Sequence, residues 1–302
     1  MLNPKENLTL IGHQEAQDIF HKAFHSNRFH HAWIIHGPVG IGKATFAFHM
    51  ARFLLSGEDN ILSNNPIYRR ILADSHGDLR VIGEEGEGEI GVETIRDLNT
   101  FLNQTSVEGG FRIVIIDGAE RLNRNAANAL LKRLEEPPAK TVFFLVTSCL
   151  GRLLPTIRSR CQVLTLSPLS ESEVAAVFKS QDIDFEPHAM LAEGSPGLLA
   201  RYRDEPGQQL SIEFQEVLGG KSATSLIRSY GGDEATYTLL EDLLRSHIHQ
   251  ELLEKALQES SLDKTLKIWD KVDQLLETCR FAQLDKKATL TCVFETLALR
   301  NK

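Results

Sequence analysis

Residues 37–45 read Gly37-Pro38-Val39-Gly40-Ile41-Gly42-Lys43-Ala44-Thr45, and the reading of this stretch decides the fold. Its glycines let the backbone curl until the N–H groups point inward at a phosphate. Lys43 opens the next helical run, whose positive end favours an anion. The spacing Gly-x-x-x-x-Gly-Lys is a phosphate loop when a strand precedes it and a helix follows. Here the apolar run Ala32–His36 precedes it and Lys43–Leu55 follows. Gly37, Gly40, Gly42 and Lys43 are therefore candidate nucleotide contacts. The next position should carry a hydroxyl for magnesium, and Ala44 carries a methyl. Thr45 remains a candidate contact, but it sits about 100° further round a helix and cannot simply replace that hydroxyl.

Working outward, Arg112–Asp117 and Thr141–Thr147 are continuous apolar runs, and Gln162–Leu166 is a fourth candidate strand. Such runs suit parallel strands buried on both faces. Between them Ala126–Glu135 is helical in composition and stops at Pro137-Pro138. Strands alternating with helices predict an α/β phosphate-loop core with a parallel sheet. Asp117 ends its strand at the place of a nucleotide-site acid. The next residue, where a water-orienting glutamate would help, is Gly118. Glu120 would need a rearranged loop to serve. Without such a group, positioned general-base help of about 10²–10⁴ is missing. Residues 56–90 read as irregular, and Gly83–Glu89 as a solvated glycine-acid loop.

After Pro168 the strand signal ends. Ser170-Glu171-Ser172-Glu173 is a capping box opening a helix. From about residue 207 the pattern is helical throughout, with stripes at Leu240, Leu244, Ile248 and Leu252, at Leu266, Trp269, Val272, Leu276 and Cys279, and at Leu290, Val293, Phe294 and Leu297. These stripes predict helix–helix contacts. The 302 residues fit two or three domains. A formal net charge of −8 excludes DNA binding by bulk charge alone. The four cysteines form no Cys-x-x-Cys pair, so no zinc site of that spacing exists. The start, Met1-Leu2-Asn3-Pro4-Lys5-Glu6, has no apolar signal core, and the longest apolar runs are strand length. A cytoplasmic chain without a membrane span is expected. The histidines His13, His21, His25, His30, His31 and His36 show no metal-ligand spacing.

Five segments carry a resemblance. They are His31–Lys43, Ile115–Asn123, Asn128–Pro138, Leu154–Cys161 and Ala192–Gly197. With their Leu134-Glu135-Glu136-Pro137-Pro138 and Ser159-Arg160-Cys161 elements, they resemble the delta-prime family of bacterial DNA polymerase III clamp-loader subunits, a branch of the AAA+ family. The C-terminal third is matched by helical character and weakly by Phe281–Ala288.

The resemblance implies an AAA+ core over 1–166, a helical lid over 167–206 and a helical collar over 207–302 that joins subunits in a ring. It implies that Arg160 is an arginine finger acting in trans on the ATP of an adjacent motor subunit. Motor and delta subunits, the sliding clamp and primer-template DNA are the implied partners. At Gly194-Ser195-Pro196-Gly197 the lid arginine of active relatives is absent. No independent catalysis is expected, and ATP or ADP would be held weakly or not at all. Many members carry a four-cysteine zinc module after the first helix. Residues 56–90 contain no cysteine, so no zinc is expected. Two rival readings are an autonomous AAA+ ATPase, with Thr45 and Glu120 filling the gaps, and a small-molecule phosphoryl-transfer enzyme with an arginine-rich lid. The region after residue 168 shows no arginine cluster for the latter.

Overall fold

The computed structural model describes residues 3–26, 29–59, 61–83, 88–181, 194–201, 205–257, 263–282 and 284–298. The glycine-acid run at residues 84–87 and parts of the expected lid, 182–193 and 202–204, lie outside the described residues. The chain divides into two compact units. Among the described residues, the first holds everything up to Gln181 together with Gly194–Gly197, and the second starts at Leu198.

The first unit runs α1 (Gln14–His25), β1 (Ala32–His36), α2 (Lys43–Ser56), α3 (Pro66–Leu72), β2 (Leu79–Ile82), α4 (Val92–Asn103), β3 (Arg112–Asp117), α5 (Arg124–Glu135), β4 (Thr141–Thr147), α6 (Pro155–Arg158), β5 (Gln162–Thr165) and α7 (Glu171–Ser180). The strands form one parallel sheet in the order β2-β3-β4-β1-β5. Side chains alternate across it. Trp33, Ile35, Ile113, Ile115, Val142 and Phe144 pack on one face with Phe20 of α1 and Phe46 and Met50 of α2. Ala32, Ile34, Val114, Ile116, Phe143 and Leu145 pack on the other with Leu98 of α4 and Leu130 of α5. Every residue of β4 is buried, which explains its unbroken apolar run. Fully burying one such side chain contributes roughly 1.5–3 kcal/mol.

Caps fix the helix ends. Asn65 and Asn123 accept N–H bonds at the starts of α3 and α5, and Ser170 with Glu173 closes the expected capping box on α7. The expectation of irregular chain over 56–90 is corrected by α3 and β2. Asn65-Pro66 is a helix start, and β2 pairs with β3 through Leu79↔Ile113 to Ile82↔Ile116.

The second unit carries α9 (Glu205–Leu218), α10 (Thr224–Tyr230), α11 (Glu234–Leu257), α12 (Asp263–Ala282) and α13 (Lys286–Ala298); α8 (Pro196–Arg201) spans the boundary between the units. Its core joins the expected stripes: Leu240, Leu244 and Ile248 meet Val272, Leu276 and Cys279, and Leu290 and Val293. Leu266 departs from its stripe and is 44% exposed. Arg245 of α11 bridges Glu241 on its own helix and Asp273 on α12, which compensates the burial of Glu241. Among the described residues no helix is long and apolar enough to cross a membrane.

Candidate functional site

The phosphate loop links β1 to α2 at the C-terminal edge of the sheet. Gly40 and Gly42 hold φ of 81° and 98°, a region that a side chain would make costly, so the turn into α2 needs them. Lys43, the first residue of α2, is only 7% exposed. Its Nζ donates to the carbonyls of Gly37 at 2.9 Å and Pro38 at 2.6 Å. The lysine therefore satisfies its own loop. Burial pulls its pKa down to about 8, although Glu120 and Asp117 favour the charged form. Asp117 ends β3, and burial raises its pKa against the pull of Arg121 and Lys43.

Glu120 is committed elsewhere. Its Oε1 accepts the Ser148 N–H at 3.2 Å and ties the turn after β3 to the end of β4, while its Oε2 is buried without a partner. Ala44 offers no ligand, and Gly118 offers no carboxylate.

The cavity beside the loop is small. A cavity of about 30 Å³ lies between Leu10, Ile11, Gly40, Thr45, Leu169 and Pro196. That holds about one water, against the ~300–1,000 Å³ of ligand pockets. Two contacts tie the loop nearby. The Gly197 N–H donates to the Gly40 carbonyl at 2.8 Å, and a Cβ at Gly197 would lie 2.8 Å from Gly40 Cα. His13 Nε2 lies 2.8 Å from the Ile41 carbonyl; burial lowers the His13 pKa, so the ring is a neutral donor. Thr45 lines this cavity and not the lysine's carbonyl cradle. With a methyl at Ala44, the loop lacks the hydroxyl that would hold magnesium beside a nucleotide.

Arg160 stands at the other edge of the sheet. It lies in the turn between α6 and β5, and Gln162 pairs with Trp33 near the start of β1. The loop follows His36, at the far end of that strand. At about 3.3 Å per residue the two sites are roughly 15 Å apart, more than the arginine spans. Arg160 cannot reach its own loop.

The guanidinium is held at three points. Nη2 meets Glu135 Oε1 at 2.7 Å, and Nη1 donates to the Thr156 carbonyl at 3.0 Å and to Ser159 Oγ at 3.3 Å. It remains 36% exposed. Beneath it Cys161 packs on the sheet core, and burial pushes its thiol up to about 12, which leaves it an inert packing group.

The Leu134–Pro138 and Ser159–Cys161 segments thus form one structure. His31 joins them: its Nε2 donates to the Leu134 carbonyl at 2.8 Å at the end of α5. Sequence reasoning assigned no chemistry to His31 and no role to Glu135 or Gly197. Their membership in shared motif segments was the only available signal. Among the described residues, no group of three or more His, Cys, Asp or Glu side chains could hold a metal ion.

The family model described as "DNA polymerase III, delta subunit" matches residues 12–170. A protein of Pseudomonas aeruginosa named DNA polymerase III subunit delta' is 39% identical over 200 residues, covering 63% of this chain and 60% of that one. The like-named protein of Escherichia coli K12 is 35% identical over 184 residues, covering 58% and 55%. That of Yersinia pestis is 33% identical over 232 residues, covering 71% and 68%. The chain therefore spans less than two thirds of the first two relatives.

Proposed function

The chain belongs to the delta' subunit family of DNA polymerase III, and from that premise we propose that it is a non-motor subunit of a clamp loader. In this reading Arg160 reaches the ATP of an adjacent motor subunit and stabilises charge spreading over the transferred phosphoryl group. The chain's own loop keeps the fold and holds nucleotide weakly or not at all. Residues 167–206 act as a lid, and residues 207–302 form the collar that joins motor and delta subunits in a ring. The assembly works in the cytoplasm, and through it the chain helps to load the sliding clamp onto primer-template DNA.

One observation carries this reading. The arginine lies at the sheet edge opposite its own phosphate loop, and that loop is tied by Lys43, Gly197 and His13. A residue that cannot serve its own site is suited to a neighbour's. The test is steady-state ATP hydrolysis, first by the purified chain and then by the reconstituted assembly. The isolated chain should be silent, and Arg160→Ala should lower the DNA-stimulated rate of the assembly. Turnover of about one per second by the isolated chain, abolished by Lys43→Ala, would instead make it an autonomous ATPase. Clamp loading at the wild-type rate by the Arg160→Ala assembly would remove the finger assignment.

A further inference from the structure

We propose that Glu135 is a stand-in anion for Arg160: it holds the guanidinium until a neighbour's triphosphate displaces it, and so sets which nucleotide state captures the arginine. This rests on the reading of Arg160 as a trans-acting finger.

The geometry supplies the argument. Glu135 is the last residue of α5, and its Oε1 lies 2.7 Å from Arg160 Nη2. A carboxylate at the C-terminal end of a helix faces the negative end of the helix dipole, so local structure alone disfavours it there. The guanidinium offsets that repulsion. Both outer nitrogens of Arg160 are engaged, Nη1 by Thr156 and Ser159 and Nη2 by Glu135. Of these three partners only Glu135 is charged, and its side chain is the more exposed member of the pair. Thr156, in α6, and Ser159, in the turn, would keep the arginine aimed after Glu135 leaves.

The pair is exposed enough to exchange. Arg160 is 36% and Glu135 46% exposed, and such ion pairs are weak. A buried pair would resist opening. An arginine that kept its carboxylate would present a neighbour with a compact dipole, whose field falls off faster than that of a bare charge. The carboxylate must therefore yield before the finger can act. The more highly charged triphosphate displaces it more readily than the diphosphate left after hydrolysis. Once the outer phosphate is lost, Arg160 returns to Glu135, which favours release of the spent site. Glu135 touches no substrate and is a positioning residue.

The experiment uses the reconstituted assembly with Glu135→Gln, nearly isosteric and uncharged, beside Glu135→Asp and Arg160→Ala. The ATP concentration giving half-maximal DNA-stimulated hydrolysis should fall about threefold in the Gln variant. The maximal rate should stay within about twofold, and ADP should inhibit about threefold more strongly. The Asp variant, which keeps the charge, should stay near wild type. In an Arg160→Ala background, Glu135→Gln should change nothing. An unchanged half-saturation point overturns the proposal, as does a fall in maximal rate alone, or an Asp variant that behaves like Gln. If Arg160→Ala itself leaves hydrolysis intact, the finger reading fails first, and that outcome is distinct from a failure of Glu135 alone.

Discussion

The phosphate loop and the arginine turn close opposite ends of one sheet, and their two cations have met different fates. Lys43 is 7% exposed and spends its protons on carbonyls of its own loop. Arg160 is 36% exposed and held by an ion pair that water can reach. Burial with neutral acceptors fixes the first and lowers its pKa. Exposure with an exchangeable anion leaves the second available. A charged side chain stays usable by a partner only while its local partners are weaker than the one that arrives.

The sharpest way to break this contrast is to remove each cation in the assembled complex. On the proposed finger role, Arg160→Ala should cost about 10³-fold in hydrolysis at the neighbouring site, read as DNA-stimulated ATP turnover of the assembly. Its loss should barely move the unfolding midpoint of the isolated chain, because exposed pairs contribute ~0–1 kcal/mol.

The second effect is a pH dependence of stability. The Lys43 pKa falls from 10.5 to about 8 on folding. Between those values the unfolded chain binds more protons than the folded one, so this group's contribution to stability rises with pH across that window. The full rise is about 3 kcal/mol. Denaturant unfolding of wild type and Lys43→Met from pH 7 to pH 10.5 should show it as a difference in slope. Equal slopes would mean that the lysine is not desolvated.

Third, Gly197→Ala pushes a methyl against Gly40. It should destabilise the chain by about 1–3 kcal/mol in urea unfolding. A neutral result would mean that the loop is not tied by this contact. Smallest is His31→Ala, which removes the donor from the end of α5 and should cost about 1 kcal/mol. Calorimetry of the purified chain measures it, and an unchanged midpoint would detach His31 from the arginine turn.

Much of the fold was legible in the residues. β1, β3 and β4 are buried on both faces, and an unbroken apolar run follows from that. β2 was not legible, because Leu79-Arg80-Val81-Ile82 is short, carries a charge and runs into glycine. It is an edge strand, where Arg80 can stay exposed. The gaps at Ala44 and Gly118 could be read directly, since each is a missing atom at a known place. The contacts of Glu135, Gly197 and Lys43 could not. Each depends on where a distant backbone comes to lie, and pattern within a window carries no information about that. Glu120 showed an acid near the right place; only the Ser148 N–H beside it reveals that the acid is in use as a structural tie.

The strand order has a consequence for how the molecule is made. β1 lies between β4 and β5, and Ala32 pairs with Phe143 and Trp33 with Gln162. A ribosome releasing about 5–20 residues per second delivers those neighbours on the order of ten seconds after β1. For that interval β1 lacks both of its strand neighbours, although α1 and α2 can already cover one of its faces. The nascent chain is most exposed to misassociation then, and holding proteins that shelter its first segment until residue 165 is out should decide how much of it matures.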